Sequence, residues 1–185
     1  MRELEKYVIE NFPDELEKVR RDFADELPHL TDAEKTIIYK YSDDDFTFSG
    51  VNKTLRNSEG LVVPDFAKYL NSALWNLPNY KQITYRGIYL EDIYLEKYVK
   101  AFQNRTILTE YGFTSSSRDR MIAEGYGDIF FKIIGKRGKS IEKVCKFGAS
   151  NFENEEEVLF RKNTSFNVIN MSKSRNLTIF NLIEI

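Results

Sequence analysis

Cysteine and histidine are almost missing from this chain. Cys145 and His29 are the single representatives of their types, so no internal disulfide can close and no zinc site of three or four nitrogen or sulfur ligands can be built. His29 lies in ELPHLT, and Cys145 has no histidine near it in sequence, which leaves Ser-His-Asp and Cys-His catalysis without their parts. Only 9 Gly and 4 Pro occur among 185 residues, excluding collagen-like and low-complexity chains. No stretch approaches the ~20 apolar residues of a membrane span. The start, MRELEKYVIENF, lacks the apolar core of a signal peptide, so a soluble protein, cytoplasmic or delivered by an apparatus of its own, is expected. An excess of one charge is missing too: 27 basic against 29 acidic residues leave a net charge of −2, with no global field to gather nucleic acid or anionic lipid.

What is present is a composition that folds. Apolar residues make up 42% of the chain, including 14 Phe and 11 Tyr, and aromatic side chains bury large areas at modest entropic cost. The length suits one domain spanning 1–185. Residues 1–78 carry helical periodicity. Leu16, Val19, Phe23 and Leu27 recur at spacings of three and four, which predicts one amphipathic helix. In LTDAEKTIIYKY, Thr31 and Glu34 form a capping box at the start of another. A further helix is expected at Val51 to Leu55. In VPDFAKYLNSALWNLP, Pro64 occupies a favourable first-turn position and Pro78 lies beyond the end.

From residue 82 the texture changes to short β-rich runs: QITYRGIYL, RTILTEYGFTSSS, DIFFKIIG, EEEVLF, SFNVINM and LTIFNLIEI. Two helices interrupt them, EDIYLEKYVKAF and the short RDRMIAEGYG. The late connections are too short for crossover helices, so the expected class is α+β: N-terminal helices followed by a mixed, mostly antiparallel sheet over 82–185.

Three places carry candidate chemistry. Arg86 interrupts the apolar run ITYRGIY, where a cation must serve an anion, pair with a carboxylate, or face water on an edge strand. Gly87 beside it permits close approach to the backbone. GFTSSS ends a strand in three hydroxyls, which donate and accept without charge; Ser117 is also a candidate cap for the following helix. FENEEEVLF sets Glu153, Glu155, Glu156 and Glu157 against a Val-Leu-Phe strand. Strand alternation would turn Glu155 and Glu157 to one face and Glu156 to the other. GKRGKS lacks the spacing of a phosphate-binding loop and reads as a hairpin turn.

In order, Tyr85-Arg86-Gly87, then Phe113-Thr114-Ser115-Ser116-Ser117, then Glu155-Glu156-Glu157-Val158-Leu159 resemble the arginine, serine, glutamate signature of the mono-ADP-ribosyltransferase toxin family. The likeness covers nearly the whole chain, including the helical lead-in DAEKTIIYKYS and the loop KSIEKVCKFGASNFENEEEVLF. It implies a β-sandwich of the ADP-ribosyltransferase type and NAD as co-substrate, with no metal. Arg86 would hold the NAD phosphates, Gly87 would offer backbone to the nicotinamide amide, and Ser115 would orient Glu157. Glu157 would bind the 2′-hydroxyl of the nicotinamide ribose and stabilise charge developing there.

Tyr126 is the aromatic expected to stack on nicotinamide. Asp128 stands near the place where many relatives carry a second arginine, and Ser116 replaces the usual threonine. In this family, glutamate at the position of Glu155 goes with arginine acceptors, so the resemblance implies transfer to an arginine of a target protein, with Phe147 and Phe152 flanking the loop that meets it. A nucleic-acid acceptor is disfavoured by the acidic balance, despite Lys132, Lys136, Arg137, Lys139, Lys143 and Lys146. No membrane partner is implied, and a monomer is expected. NAD glycohydrolysis and a non-catalytic interaction module are the alternatives.

Overall fold

The computed structural model describes residues 3–43, 50–149, 154–174 and 177–185. Phe152 and Glu153, singled out above, lie outside the described residues. The chain forms two compact units, Met1–Pro78 with Ser140–Glu156, and Asn79–Lys139 with Glu157–Ile185.

The first unit is helical. It comprises α1 (Glu3–Asn11), α2 (Pro13–Asp22), α3 (Asp32–Tyr41), α4 (Val51–Asn57) and α5 (Asp65–Trp75), followed by a short 3-10 turn at Glu142–Val144. The single helix expected through Leu27 is corrected. Proline at position 13 lacks the N–H to continue α1 and instead starts α2, while α2 ends at Phe23 and Leu27 adopts a φ of 47°. The capping box forms as read: Thr31 Oγ1 accepts from the Glu34 amide, and the Glu34 carboxylate accepts from the Thr31 amide at 2.8 Å. Pro64 sits at the N-cap of α5 rather than inside its first turn.

Buried α3 centres this unit, with Ile37 and Ile38 fully enclosed. Its Lys35 is buried as well, and Nζ donates at 3.0 Å to the carbonyls of Phe23 and Ala24. That cation satisfies acceptors at the C-terminal end of α2, where the helix dipole favours it.

The second unit holds the sheet. Strands β1 (Ile83–Ile88), β2 (Ile107–Glu110), β3 (Thr114–Ser117), β4 (Ile129–Ile134), β5 (Lys139–Ser140), β6 (Glu157–Phe160), β7 (Thr164–Ser174) and β8 (Leu177–Glu184) are joined in the order β2-β7-β8-β4-β1-β3-β6-β5. The β4–β8 pair is parallel, whereas β1–β3, β1–β4, β2–β7, β3–β6 and β7–β8 are antiparallel. This is the mixed, mostly antiparallel arrangement expected.

Helix α6 (Asp92–Asn104) supplies Tyr98 and Ala101 to a core with Phe131, Phe166 and Phe180. The rings of Tyr98, Phe131 and Phe180 lie 4.7 to 5.6 Å apart, within the range of favourable aromatic contacts. Among the described residues no helix is long and apolar enough to cross a membrane.

GKRGKS is not a hairpin turn, because β4 and β5 are not neighbours in the sheet. The amides of Lys136 and Arg137 donate to Glu184 Oε2 at 2.5 and 2.7 Å, and Arg137 Nε donates to Oε1 at 2.8 Å. The turn is therefore an anion cradle that the chain fills with its own buried carboxylate.

Candidate active site

Arg86, Gly87, Ser115, Tyr126 and Glu157 all belong to the second unit. Strands β1, β3 and β6 are consecutive in the sheet, so chain segments far apart in sequence are brought side by side. Arg86 lies on β1, which is flanked by β4 and β3, and the edge-strand reading of this arginine is thereby corrected. Its register partner on β4 is Phe131, which belongs to the apolar core.

The ladder between β1 and β3 is one residue pair among the described residues, Tyr85 opposite Ser117. Beside that point Arg86 Nη1 donates to the Ser115 carbonyl at 2.5 Å. The half-buried guanidinium is thus fixed by a neutral acceptor, and no ion pair joins it to a carboxylate among the described residues. Of the three readings of Arg86, neither the edge strand nor the carboxylate pair is found among the described residues.

The β3–β6 register sets Ser117 directly across from Glu157 and Ser115 across from Leu159. Directly paired residues share a face, as do alternate residues along a strand. Both hydroxyl-bearing residues therefore stand on the face of Glu157, with Ser117 nearer in register. Sequence reasoning passes over Ser117 as a neighbour of this acid, since the two residues are forty positions apart in the chain and only strand register pairs them. Glu157 is buried, 6% exposed, and burial strengthens any electrostatic interaction it makes. The Ser116 hydroxyl, on the other face, donates to the Val158 carbonyl at 2.8 Å. Helix α7 (Arg120–Glu124) is capped by Asp119, whose carboxylate accepts from the Met121 amide, while Ser117 Oγ accepts from the Asp119 amide at 2.9 Å. The expected cap by Ser117 is corrected accordingly.

Gly87 is glycine for a reason inside this unit. A Cβ there would stand 1.9 Å from the Ala123 carbonyl oxygen and 3.4 Å from Tyr126 Cβ. The missing side chain lets α7 settle on β1 and sets Tyr126 beside Gly87, with 52% of the tyrosine exposed. We expect Gly87→Ala to displace α7 at a cost of about 2 kcal/mol, lowering the melting temperature by roughly 4–8 °C. A thermal melt unchanged within 1 °C would contradict this account of the contact.

Glu155 and Glu156 belong to the first unit. Glu155 precedes β6, which begins at Glu157, and Glu156 has a left-handed φ of 50°. Simple strand alternation therefore does not relate the three glutamates, which corrects the expectation of a shared strand face for Glu155 and Glu157. Phe147 is partly buried, and Lys146 Nζ stands 5.4 Å from the centre of its ring.

A cation on β1, a buried carboxylate on β6 with β3 between them, and an exposed aromatic beside the glycine are the elements that the resemblance assigns to the site of an NAD-dependent ADP-ribosyltransferase. The family profile of the ADP-ribosyltransferase exoenzymes matches residues 17–182, and the chain belongs to that family. It is 31% identical over 153 residues to NAD(+)--protein-arginine ADP-ribosyltransferase Tre1 of Serratia proteamaculans (strain 568), a match covering 80% of this chain and 31% of Tre1. The chain thus spans about a third of the length of that relative.

Its fold is similar to that of the ADP-ribosyltransferase HopU1 of Pseudomonas syringae pv. Tomato DC3000. The TM-score is 0.76 at 23% identity, over 92% of this chain and 87% of that one. It is similar as well to exoenzyme S from Pseudomonas aeruginosa, solved with human 14-3-3 protein beta and bound to carba-NAD. There the TM-score is 0.73 at 20% identity, over 98% and 86% of the two chains.

Proposed function

We propose that this chain transfers ADP-ribose from NAD to an arginine side chain of a target protein and releases nicotinamide. The observation that carries the proposal is Arg86: a half-buried guanidinium in a central strand, fixed by the Ser115 carbonyl and joined to no carboxylate among the described residues. A guanidinium so placed suits a phosphate, whose oxygens match its fork of donors. Tyr126, exposed beside Gly87, supplies a ring face for nicotinamide. Glu157 accepts from the ribose 2′-hydroxyl, and its fixed charge opposes the positive charge that grows on the sugar as the glycosidic bond breaks. The hydroxyls of Ser115 and Ser117 stand on its face to orient it.

Glu155 is assigned to the acceptor. A guanidinium with a pKa above 12 needs a carboxylate to align it and help remove its proton. The name of Tre1, a protein-arginine transferase, supports this choice. The test is incubation with NAD and a cell lysate, followed by mass-spectrometric mapping of modified side chains. ADP-ribose on arginine is the expected result. Label on other residues alone would overturn the acceptor assignment, and nicotinamide release with no labelled protein would favour hydrolysis of NAD.

A further inference from the structure

Asn154 lies one residue before Glu155 and uses both ends of its amide. Its Nδ2 donates to Glu142 Oε1 at 2.8 Å, and its Oδ1 accepts from the Glu156 amide at 2.9 Å. The Glu155 amide in turn donates to the Phe147 carbonyl at 2.9 Å. The two peptide planes that meet at the Glu155 Cα each carry one of these bonds. With both planes held, the backbone angles of Glu155 are set, and so is the direction in which its Cα–Cβ bond leaves the chain.

The segment at the other end of these bonds is itself anchored. The Glu142 carbonyl accepts from the Ala149 amide at 3.0 Å, and a Cβ on Gly148 would stand 1.9 Å from that same oxygen. The Lys146 amide donates to Ser42 Oγ at 2.7 Å, and Lys146 Nζ pairs with Asp43 at 2.9 Å. Glu142 and Phe147 are therefore part of a tied segment and offer Asn154 and Glu155 fixed partners.

The φ of 50° at Glu156 shows what the asparagine does. A non-glycine residue rarely takes this conformation without help. An asparagine side chain that accepts from the amide two residues on forms an Asx turn, which supplies such help. Aspartate could accept from Glu156 but would set a second carboxylate against Glu142. Serine would have to accept from Glu156 and donate to Glu142 through one oxygen, whereas asparagine does so from two separate atoms.

We propose that Asn154 is a positioning residue for arginine use: the Glu142–Asn154–Glu156 bonds aim Glu155 at the acceptor. The inference rests on the reading of Glu155 as the acceptor-binding acid. Water needs no such alignment, so Asn154 should matter for transfer and not for hydrolysis of NAD.

The experiment compares transfer to agmatine, a small guanidinium acceptor, with nicotinamide release when no acceptor is added. Asn154→Ala should lower kcat/KM for agmatine roughly tenfold, mainly through KM, with nicotinamide release within twofold of the parent. Asn154→Asp should be similarly impaired. Adding Glu142→Gln to it restores a donor facing an acceptor, and transfer should return to within about threefold of the parent.

Unchanged agmatine transfer in Asn154→Ala would overturn the proposal. So would a parallel loss of both activities, or failure of the double variant to recover. Glu155→Gln separates the two levels. If it still modifies agmatine normally, the assignment of Glu155 is wrong; if it loses transfer while Asn154→Ala does not, only the positioning role is lost.

Discussion

Glu157→Gln is expected to reduce NAD-dependent labelling of protein by about 10²–10³-fold, the loss typical when one preorganised electrostatic group is removed from a reacting centre. The substitution is nearly isosteric, and residue 157 is held between Ser117 and its β6 neighbours in the ladder, so the strand survives. What disappears is the full negative charge at a site that is 6% exposed. A neutral amide can still meet a ribose hydroxyl in the ground state but opposes little of the positive charge that develops later. Ligand stabilisation should therefore persist: NAD at 100 times its dissociation constant contributes about 2.7 kcal/mol, a shift of roughly 5–11 °C for a chain of this size. Initial rates with labelled NAD, read beside melts with and without NAD, separate binding from chemistry. A variant that labels as fast as the parent would remove Glu157 from its assigned role.

The second large effect concerns stability. Glu184 is 1% exposed and accepts three hydrogen bonds, from the amides of Lys136 and Arg137 and from the Arg137 guanidinium. Glu184→Ala removes the charge and leaves all three donors without it. We expect a loss of about 3 kcal/mol, seen as a fall in melting temperature of roughly 6–12 °C. Glu184→Gln should cost less, because its carbonyl still accepts while its amide group faces donors. Arg137→Ala should cost less again: the arginine side chain is half exposed, and the two backbone amides keep their partner. If Glu184→Ala melts within 1 °C of the parent, the cradle contributes nothing.

Much of the fold could be read from local pattern. The Thr31–Glu34 capping box, α5 before Pro78, the switch to short strands after residue 82 and the interruption by α6 each rest on residues within a few positions of one another. Local periodicity and capping chemistry therefore suffice to find them. The extension through Leu27 failed because spacing counts apolar faces and cannot see where a backbone turns to a φ of 47°. GKRGKS was misread for another reason: its partner, Glu184, lies almost fifty residues away in the chain, and β5 pairs at the far edge of the sheet.

The candidate site divides in the same way. Residue types alone marked Arg86, Gly87, the hydroxyl run Ser115–Ser117 and the acids Glu155 and Glu157 as places where chemistry could sit, whereas Ser115 within its run and Tyr126 were singled out by the resemblance to the ADP-ribosyltransferase toxins. Only the tertiary structure decided that Ser117 faces Glu157, that Gly87 is small to admit α7, and that Glu156 turns left-handed before β6. Register, close approach and backbone handedness depend on what lies across a ladder or against a strand. A linear string specifies those neighbours only through the whole fold, whereas the chemical character of each side chain is present from the start.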